Sequence, residues 1–473
     1  MQITSALSRS PFFAMAFSVG LLSPFLEGQF QATPLFPPKS GVSQPVCIDI
    51  AKDGRIFFSE RSSGLIKIFA PQGGGLQKLP FAQLFNTDAS GEKGLLGLAI
   101  DPDFPTKPYV YSFQHYKKGS QTFGRITRFT AQGNRAIASR IIFDNIPGTR
   151  IHNGGYLRFG PDKMLYFTVG DNASPSRAQD KSATVLSGKM HRIQADGRIP
   201  KDNPFGPKST FFAMGIRNSF GFAFHPLTKQ LFEGENGPST NDELQVLRPG
   251  GNYGWPRELG NQNKPGYDKP IYTWTPCFAP CGMEFYVGTV YPKRWVHSLW
   301  ISDYNKGGLR ILELGGQGFR KVLRETLLPI GVHITDVRMG RDGKMYAVDL
   351  YRNQIYRIDW KGSSPSLPEL QLIGQQSIPS QNWLVQRGHP SSMMFLLFGP
   401  RIDPPTQTPF GTAEVFPLLT FFGALGNPDG IATFALPIPS TPKAQGLRAS
   451  FQALEYHPTL GTRFTNRVEL WIH

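Results

Sequence analysis

RIHNGGYLRFGPDKMLYFTVGD, residues 150–171, is the stretch from which the chain can be read. Apolar and polar residues alternate on either side of Gly160-Pro161-Asp162, the mark of a β-hairpin closed by a tight turn. The two ends of a hairpin lie side by side, so His152 and Asp171 are expected to meet at one rim. An imidazole held by a carboxylate, beside Gly154 and Gly155 that leave room for a substrate, has the makings of a general base. A rim histidine that merely satisfies a loop carbonyl has the same local sequence, and this stretch alone does not separate the two.

Working outward, a polar or Gly/Asp turn followed by an apolar strand and a polar or glycine-rich exit recurs. It appears as KDGRIFFSE at Lys52, DPDFPTKPYVYSFQH at Asp101, GPDKMLYFTVGD at Gly160 and HPLTKQLFEGENG at His225. It returns as YPKRWVHSLWISDY at Tyr291 and RDGKMYAVDLYRNQIYRI at Arg341, a period of roughly fifty to sixty-five residues. Such a period, with room for about four strands per unit, predicts a six-bladed β-propeller, because one small sheet buries both faces only by radial stacking against its neighbours. The fold class expected is all-β. The strand exits, with His152, Asp171, Arg217, Asn218, Lys306 and His333, should then gather around one mouth.

The propeller is expected over residues 33–362. After Trp360 a Ser/Pro linker leads to short strands separated by Pro, Gly and Asn turns, which predict a C-terminal β-sandwich over residues 363–473 without evident chemistry. Residues 1–32 resemble a signal peptide: Arg9, an apolar centre too short to span a bilayer, and no acid before Glu27. A periplasmic or secreted location follows as an expectation, with no membrane span in the mature chain.

The 51 Gly and 41 Pro among 473 residues suit a turn-rich β protein rather than a helical one. The formal charge of +16 is scattered in single Lys and Arg residues with no dense basic block. It therefore reads as a solvated basic surface, with no nucleic-acid partner. Of the three cysteines, Cys47 reads as a core thiol, while Cys277 and Cys281 in CFAPC are near enough in sequence to form a local disulfide if the chain is exported.

A second stretch, Gly215 to Pro256, carries more chemistry. Arg217 and Asn218 set a cation and an amide before a strand. Glu235-Asn236-Gly237-Pro238 forms a turn whose carbonyls are left free, since Pro donates no hydrogen bond. Asp242 and Glu243 follow. Carbonyl and carboxylate oxygens together are the hard ligands that calcium prefers, although an acidic blade loop with ordinary turn hydrogen bonds reads equally well.

EKGLLGLAIDPDF from Glu92, IHNGGYLRFGPDKMLYFTVGD, GIRNSFGFAFHP, GENGPSTNDELQVLRPGGNYGWP and DVRMGRDGKMYAV, in this order, resemble the glucose/sorbosone dehydrogenase family. Its members include soluble aldose dehydrogenases that use pyrroloquinoline quinone on a six-bladed propeller. The resemblance implies oxidation of a small-molecule sugar to its lactone, with pyrroloquinoline quinone and calcium as cofactors and an external electron acceptor. It implies that His152 is the base and Asp171 the carboxylate orienting it. Arg217 would stabilise charge on the quinone oxygen, and Asn218, Asn236, Asp242 and Lys306 would contact the cofactor. Gly237 and Pro238 would hold the cofactor's calcium through carbonyls, Glu243 with Tyr253 a second calcium, and Glu92 the sugar.

The chain departs from the pattern where the family's glucose dehydrogenases clamp the quinone carboxylates with two arginines. Here GVHITDV places His333 and Thr335 at those positions, and Phe220 stands where some members have a polar cofactor contact. Bidentate guanidinium contacts to a carboxylate are among the strong ones, and histidine replaces them only in part. Two other functions therefore stand beside the dehydrogenase: a noncatalytic propeller binding protein or glycan, and a calcium-dependent lactonase in which His152 activates water.

Overall fold

The computed structural model describes residues 29–362 throughout and, beyond them, the backbone of strands between residues 369 and 471. The signal-like residues up to 28 and the linker 363–368 lie outside the described residues.

Six four- or five-stranded antiparallel sheets follow one another along residues 29–362. Their first strands are Pro45–Ile50, Leu95–Ile100, Leu157–Phe159, Ser219–Phe224, Pro280–Phe285 and Ile334–Met339. The sheets meet in sequence around a closed ring, the last returning to the first. This is the six-bladed propeller. The six recurring turns fall between the first and second strands of each blade, all on one face. The second strands run back to the other face, where their exits form the mouth.

The alternation that marks a half-buried strand understates the burial. Ile56–Glu60, Leu165–Val169, Leu231–Glu235, Leu299–Asp303 and Met345–Asp349 are buried at every position. Each blade is covered on both faces by its neighbours, so even residues that point away from one blade's interior meet the next. The outermost strand Arg135–Gly148, with only one neighbour, stays largely exposed.

Five of the second strands end in a buried acid: Glu60, Asp171 (two residues past its strand), Glu235, Asp303 and Asp349. Each accepts backbone N–H groups of a mouth loop. Glu60 takes Ser43 (2.9 Å), Asp303 takes Lys306 (2.7 Å), and Asp349 takes Val332 (2.9 Å) and Arg352 (3.0 Å). Buried backbone donors need such partners, and the acids tie irregular loops to the rigid ends of strands.

The ring closes on Phe30–Pro34, which pairs antiparallel with Gln354–Trp360 in the register Phe30↔Trp360 to Pro34↔Tyr356. The domain boundary expected between residues 32 and 33 therefore falls inside a strand, and the propeller begins no later than Phe30. Phe30 packs its ring on Trp360 (4.9 Å between centroids), Tyr291 (5.2 Å) and Trp300 (5.6 Å), joining the ring-closing strand to the fifth blade. Phe30→Ala is expected to lower the thermal midpoint by the equivalent of about 2 kcal/mol, below the full cost of deleting a buried phenylalanine because Phe30 is half-buried. A calorimetric scan with an unchanged midpoint would show that this strand does not close the ring.

Beyond residue 368 the described strands make antiparallel sheets. One joins Glu369–Ile373, Ser380–Arg387 and Ile431–Ile438, another is centred on Arg448–His457, and Arg401–Thr408 pairs with Gly411–Val415.

Candidate active site

The hairpin Leu157–Phe159/Leu165–Val169 brings its flanks together as its pattern predicts. His152 Nδ1 and Asp171 Oδ1 stand 2.7 Å apart. His152 has φ +56°, a left-handed backbone unfavourable for a side chain with a Cβ. Its loop holds that shape because Asn153, fully buried, bridges both backbone groups of Thr149 (2.8 and 2.9 Å). Gly170 is required for the approach: a Cβ there would lie 2.4 Å from the carbonyl oxygen of His152.

Asp171 is fully buried and completely engaged. Oδ1 accepts the Ala173 N–H (2.8 Å) as well as meeting the imidazole, and Oδ2 accepts the indole N–H of Trp255 (2.8 Å). A carboxylate held in this way fixes the imidazole tautomer, with Nδ1–H donating to Asp171 and Nε2 left as the acceptor. The His152 N–H donates to Glu92 Oε2 (2.6 Å), and Asn218 Nδ2 donates to the same oxygen (3.3 Å).

These groups border a pocket of about 420 Å³ at the mouth, lined by His152, Glu92, Arg217, Asn218, Asn236 and Gly237 among others. Tyr156, Val46 and Cys47 also line it, together with Phe220, Tyr304 and Tyr351. Cys47 is thus a buried core thiol that also borders the pocket. Arg217 lies over the Trp255 ring (5.4 Å) and donates to the Asn236 carbonyl (2.7 Å). The Arg217 and Asn218 N–H groups both end on Glu235 Oε1 (2.6 and 2.8 Å).

Several expected contacts are not made. Asp242 is fully buried and turned into the protein, where it accepts Gly237 N–H (2.8 Å), Phe278 N–H (2.6 Å) and Ala279 N–H (2.9 Å). It does not line the pocket itself and shapes the wall by holding Gly237 and Ala279, which do. Lys306 is exposed on the rim, and its neighbours Tyr304 and Asn305 line the pocket in its place. Pro238 is exposed, while Gly237 reaches the pocket. Cys277 and Cys281 are free thiols, not a disulfide, and burial pushes the Cys277 thiol up to about 12. His333 is wedged between Tyr304 (4.7 Å) and Tyr351 (4.8 Å) with its buried Nδ1 unpartnered, and Thr335 borders the pocket while its hydroxyl is buried and unpartnered.

Beneath Arg217 a small internal cavity gathers Glu235, Glu243, Glu258 and Tyr253. Both oxygens of Glu258 and one of Glu235 are buried without a hydrogen-bond partner. Burial, with the neighbouring Glu258 and Asp242 adding to it, raises Glu243 to about 7, and burial with Glu233 raises Glu235 well above the carboxylate range. Carboxylates crowded like this, with oxygens left over, suit a hard cation. Among the described residues no three acidic, histidine or cysteine side chains stand in metal-ligand geometry, so backbone carbonyls would have to complete a shell. The pocket above suits a planar polyanion: aromatic residues and two arginines, Arg217 and Arg61, line it.

Sequence reasoning passed over Trp255 and Arg61. Trp255 had a signal in GNYGWP but no visible partner, and Arg61 stands one residue past the recurring unit KDGRIFFSE.

The mouth of the propeller thus presents a carboxylate-held imidazole and two guanidiniums beside one pocket. The chain belongs to the glucose/sorbosone dehydrogenase family, whose model matches residues 42–357. It is 32% identical to quinoprotein glucose dehydrogenase B of Acinetobacter calcoaceticus over 50% of this chain and 54% of that one. It is 30% identical to the aldose sugar dehydrogenase YliI of Escherichia coli over 55% of this chain and 75% of that one. Among solved structures, the quinone-bound aldose sugar dehydrogenase of Streptomyces coelicolor superposes with a TM-score of 0.59 at 26% identity, over 70% of this chain and 98% of that one. Family and relatives indicate an oxidoreductase of the sugar-dehydrogenase type.

Proposed function

We propose that the protein oxidises an aldose to its lactone, with pyrroloquinoline quinone as the hydride acceptor and calcium assisting, and passes the electrons to an external acceptor. The observation that supports this best is the chain Trp255–Asp171–His152, which leaves imidazole Nε2 as a base at the pocket. The bound quinone, polarised by calcium, would supply the two-electron sink.

His152 Nε2 takes the proton from the anomeric hydroxyl as hydride leaves the sugar carbon, and the buried Asp171 stabilises the imidazolium that results. Arg217, pinned over Trp255 and onto Asn236, is a cation already in place for charge developing across the pocket, so it needs no reorganisation. Glu92 has one oxygen occupied by His152 and Asn218 and leaves the other to orient sugar hydroxyls. Asn218, Asn236 and Gly237 belong to the cofactor side of the pocket. Glu243 and the Tyr253 carbonyl belong to a structural cation.

The test is reconstitution. Protein mixed with quinone, calcium and a panel of aldoses should reduce an artificial dye. The substitution of His333 and Thr335 for arginines favours a second reading, a propeller that binds without turnover. Quinone binding with no dye reduction for any aldose would decide for it, and consumption of a lactone without quinone would decide for the hydrolase.

A further inference from the structure

We propose that Trp255 is a positioning residue for the reaction above, on which this rests: its indole stands between Asp171 and Arg217 and keeps the two charges from pairing. The carboxylate is thereby left to His152 and the guanidinium to the pocket. The two residues are neighbours along the backbone, where the Asp171 N–H donates to the Arg217 carbonyl (2.7 Å). Opposite charges rooted so close, one of them on a fully buried carboxylate, attract strongly where water is scarce. They nevertheless make no ion pair. Among the described residues Arg217 pairs with no carboxylate, Glu92 of the same pocket included, and its Nε is buried without a partner.

The indole meets each charge with the part of the ring that suits it. Its N–H edge donates to Asp171 Oδ2 (2.8 Å), and among the described residues no other donor reaches that oxygen. The Arg217 guanidinium lies over its face, 5.4 Å from the centroid. An aromatic ring is electropositive at its edge and electronegative over its face, so this one orientation favours both charges. The residue is fixed from behind: the Trp255 N–H donates to the Gly215 carbonyl (3.0 Å), and the Trp255 carbonyl accepts from Gln179 Nε2 (2.8 Å).

The competing role is a wedge that only fills space. The imidazole Nδ1–H held by Asp171 should give a far-downfield proton NMR resonance in the full chain, identified by its loss in His152→Asn. Trp255→Phe keeps a ring between the charges and should keep the resonance, with dye reduction within about fivefold of wild type. Trp255→Leu removes the spacer, so Arg217 should take the carboxylate, the resonance vanish and turnover fall about a hundredfold. Trp255→Leu combined with Arg217→Gln should bring the resonance back, because the competing cation is gone, whereas a collapse of packing would not be repaired by a second substitution. A resonance that persists in Trp255→Leu, or that stays lost in the double variant, would overturn the assignment. The resonance is read without quinone, so a wild type that reduces no dye would strike the quinone reading alone.

Discussion

His152→Asn is expected to abolish dye reduction by a factor of about a thousand while quinone affinity stays within a few-fold of wild type. Removing a positioned general base typically costs two to four orders of magnitude. Asparagine is the replacement to use because position 152 has φ +56°, a conformation that Asn tolerates and that other side chains with a Cβ resist. His152→Ala should lose the same activity and, because it leaves the buried Asp171 without its imidazole partner, about 1–3 kcal/mol of stability. The backbone N–H of residue 152 can still donate to Glu92 in both variants, so the pocket keeps its shape. Steady-state rates at saturating quinone, set beside thermal melts, separate the two effects. More than a tenth of wild-type turnover in the Asn variant would mean that another group takes the proton, and the Asp171–His152 pair would then be a loop fastener like the acids at the other strand ends.

That comparison shows how far the sequence could be read. The propeller was legible because its cause is periodic: each blade needs a tight turn, an inner strand and an exit, and the pattern repeats six times. The meeting of His152 and Asp171 was legible because it is local, a property of one hairpin. Groups that depend on chain segments far apart were not. Trp255 reaches Asp171 across 84 positions, and the His152 N–H reaches Glu92 across 60. Asp242 shows the same failure. Its three N–H partners come from two loops that lie far apart in the sequence, so its inward orientation was not legible there. Phe30 was assigned by local composition to a leader-like segment, although its aromatic partners lie near the far end of the propeller. The acids at the strand ends repeat as SE, GD, GE, SD and VD, and only the fold shows that four of them tie loops while the fifth holds an imidazole.

Calcium should raise the thermal midpoint by about 5 °C or more at pH 8 and by much less at pH 5. In the metal-free fold, Glu243 is raised from the ordinary 4.5 to about 7 and Glu235 is raised well above it, both chiefly by burial. A folded-state value above the unfolded one means that the folded protein binds more protons in that interval. For Glu243 the associated stability is complete below pH 4.5 and is lost as pH rises through about 7, by up to about 1.4 kcal/mol per pH unit, and Glu235 acts with the same sign. A divalent ion among Glu235, Glu243 and Glu258 replaces those protons, and at a hundred times its dissociation constant it contributes about 2.7 kcal/mol. Glu258→Gln is the sharper form of the test, because both of its oxygens are buried and unpartnered. That variant should be more stable than wild type without metal at pH 8, since one crowded charge is gone, and should gain less from calcium. The two changes have opposite signs, which a general loss of packing cannot produce. If calcium leaves the pH 8 midpoint of the wild-type protein unchanged, the carboxylates beneath Arg217 are simply protonated acids and the cavity holds no ion.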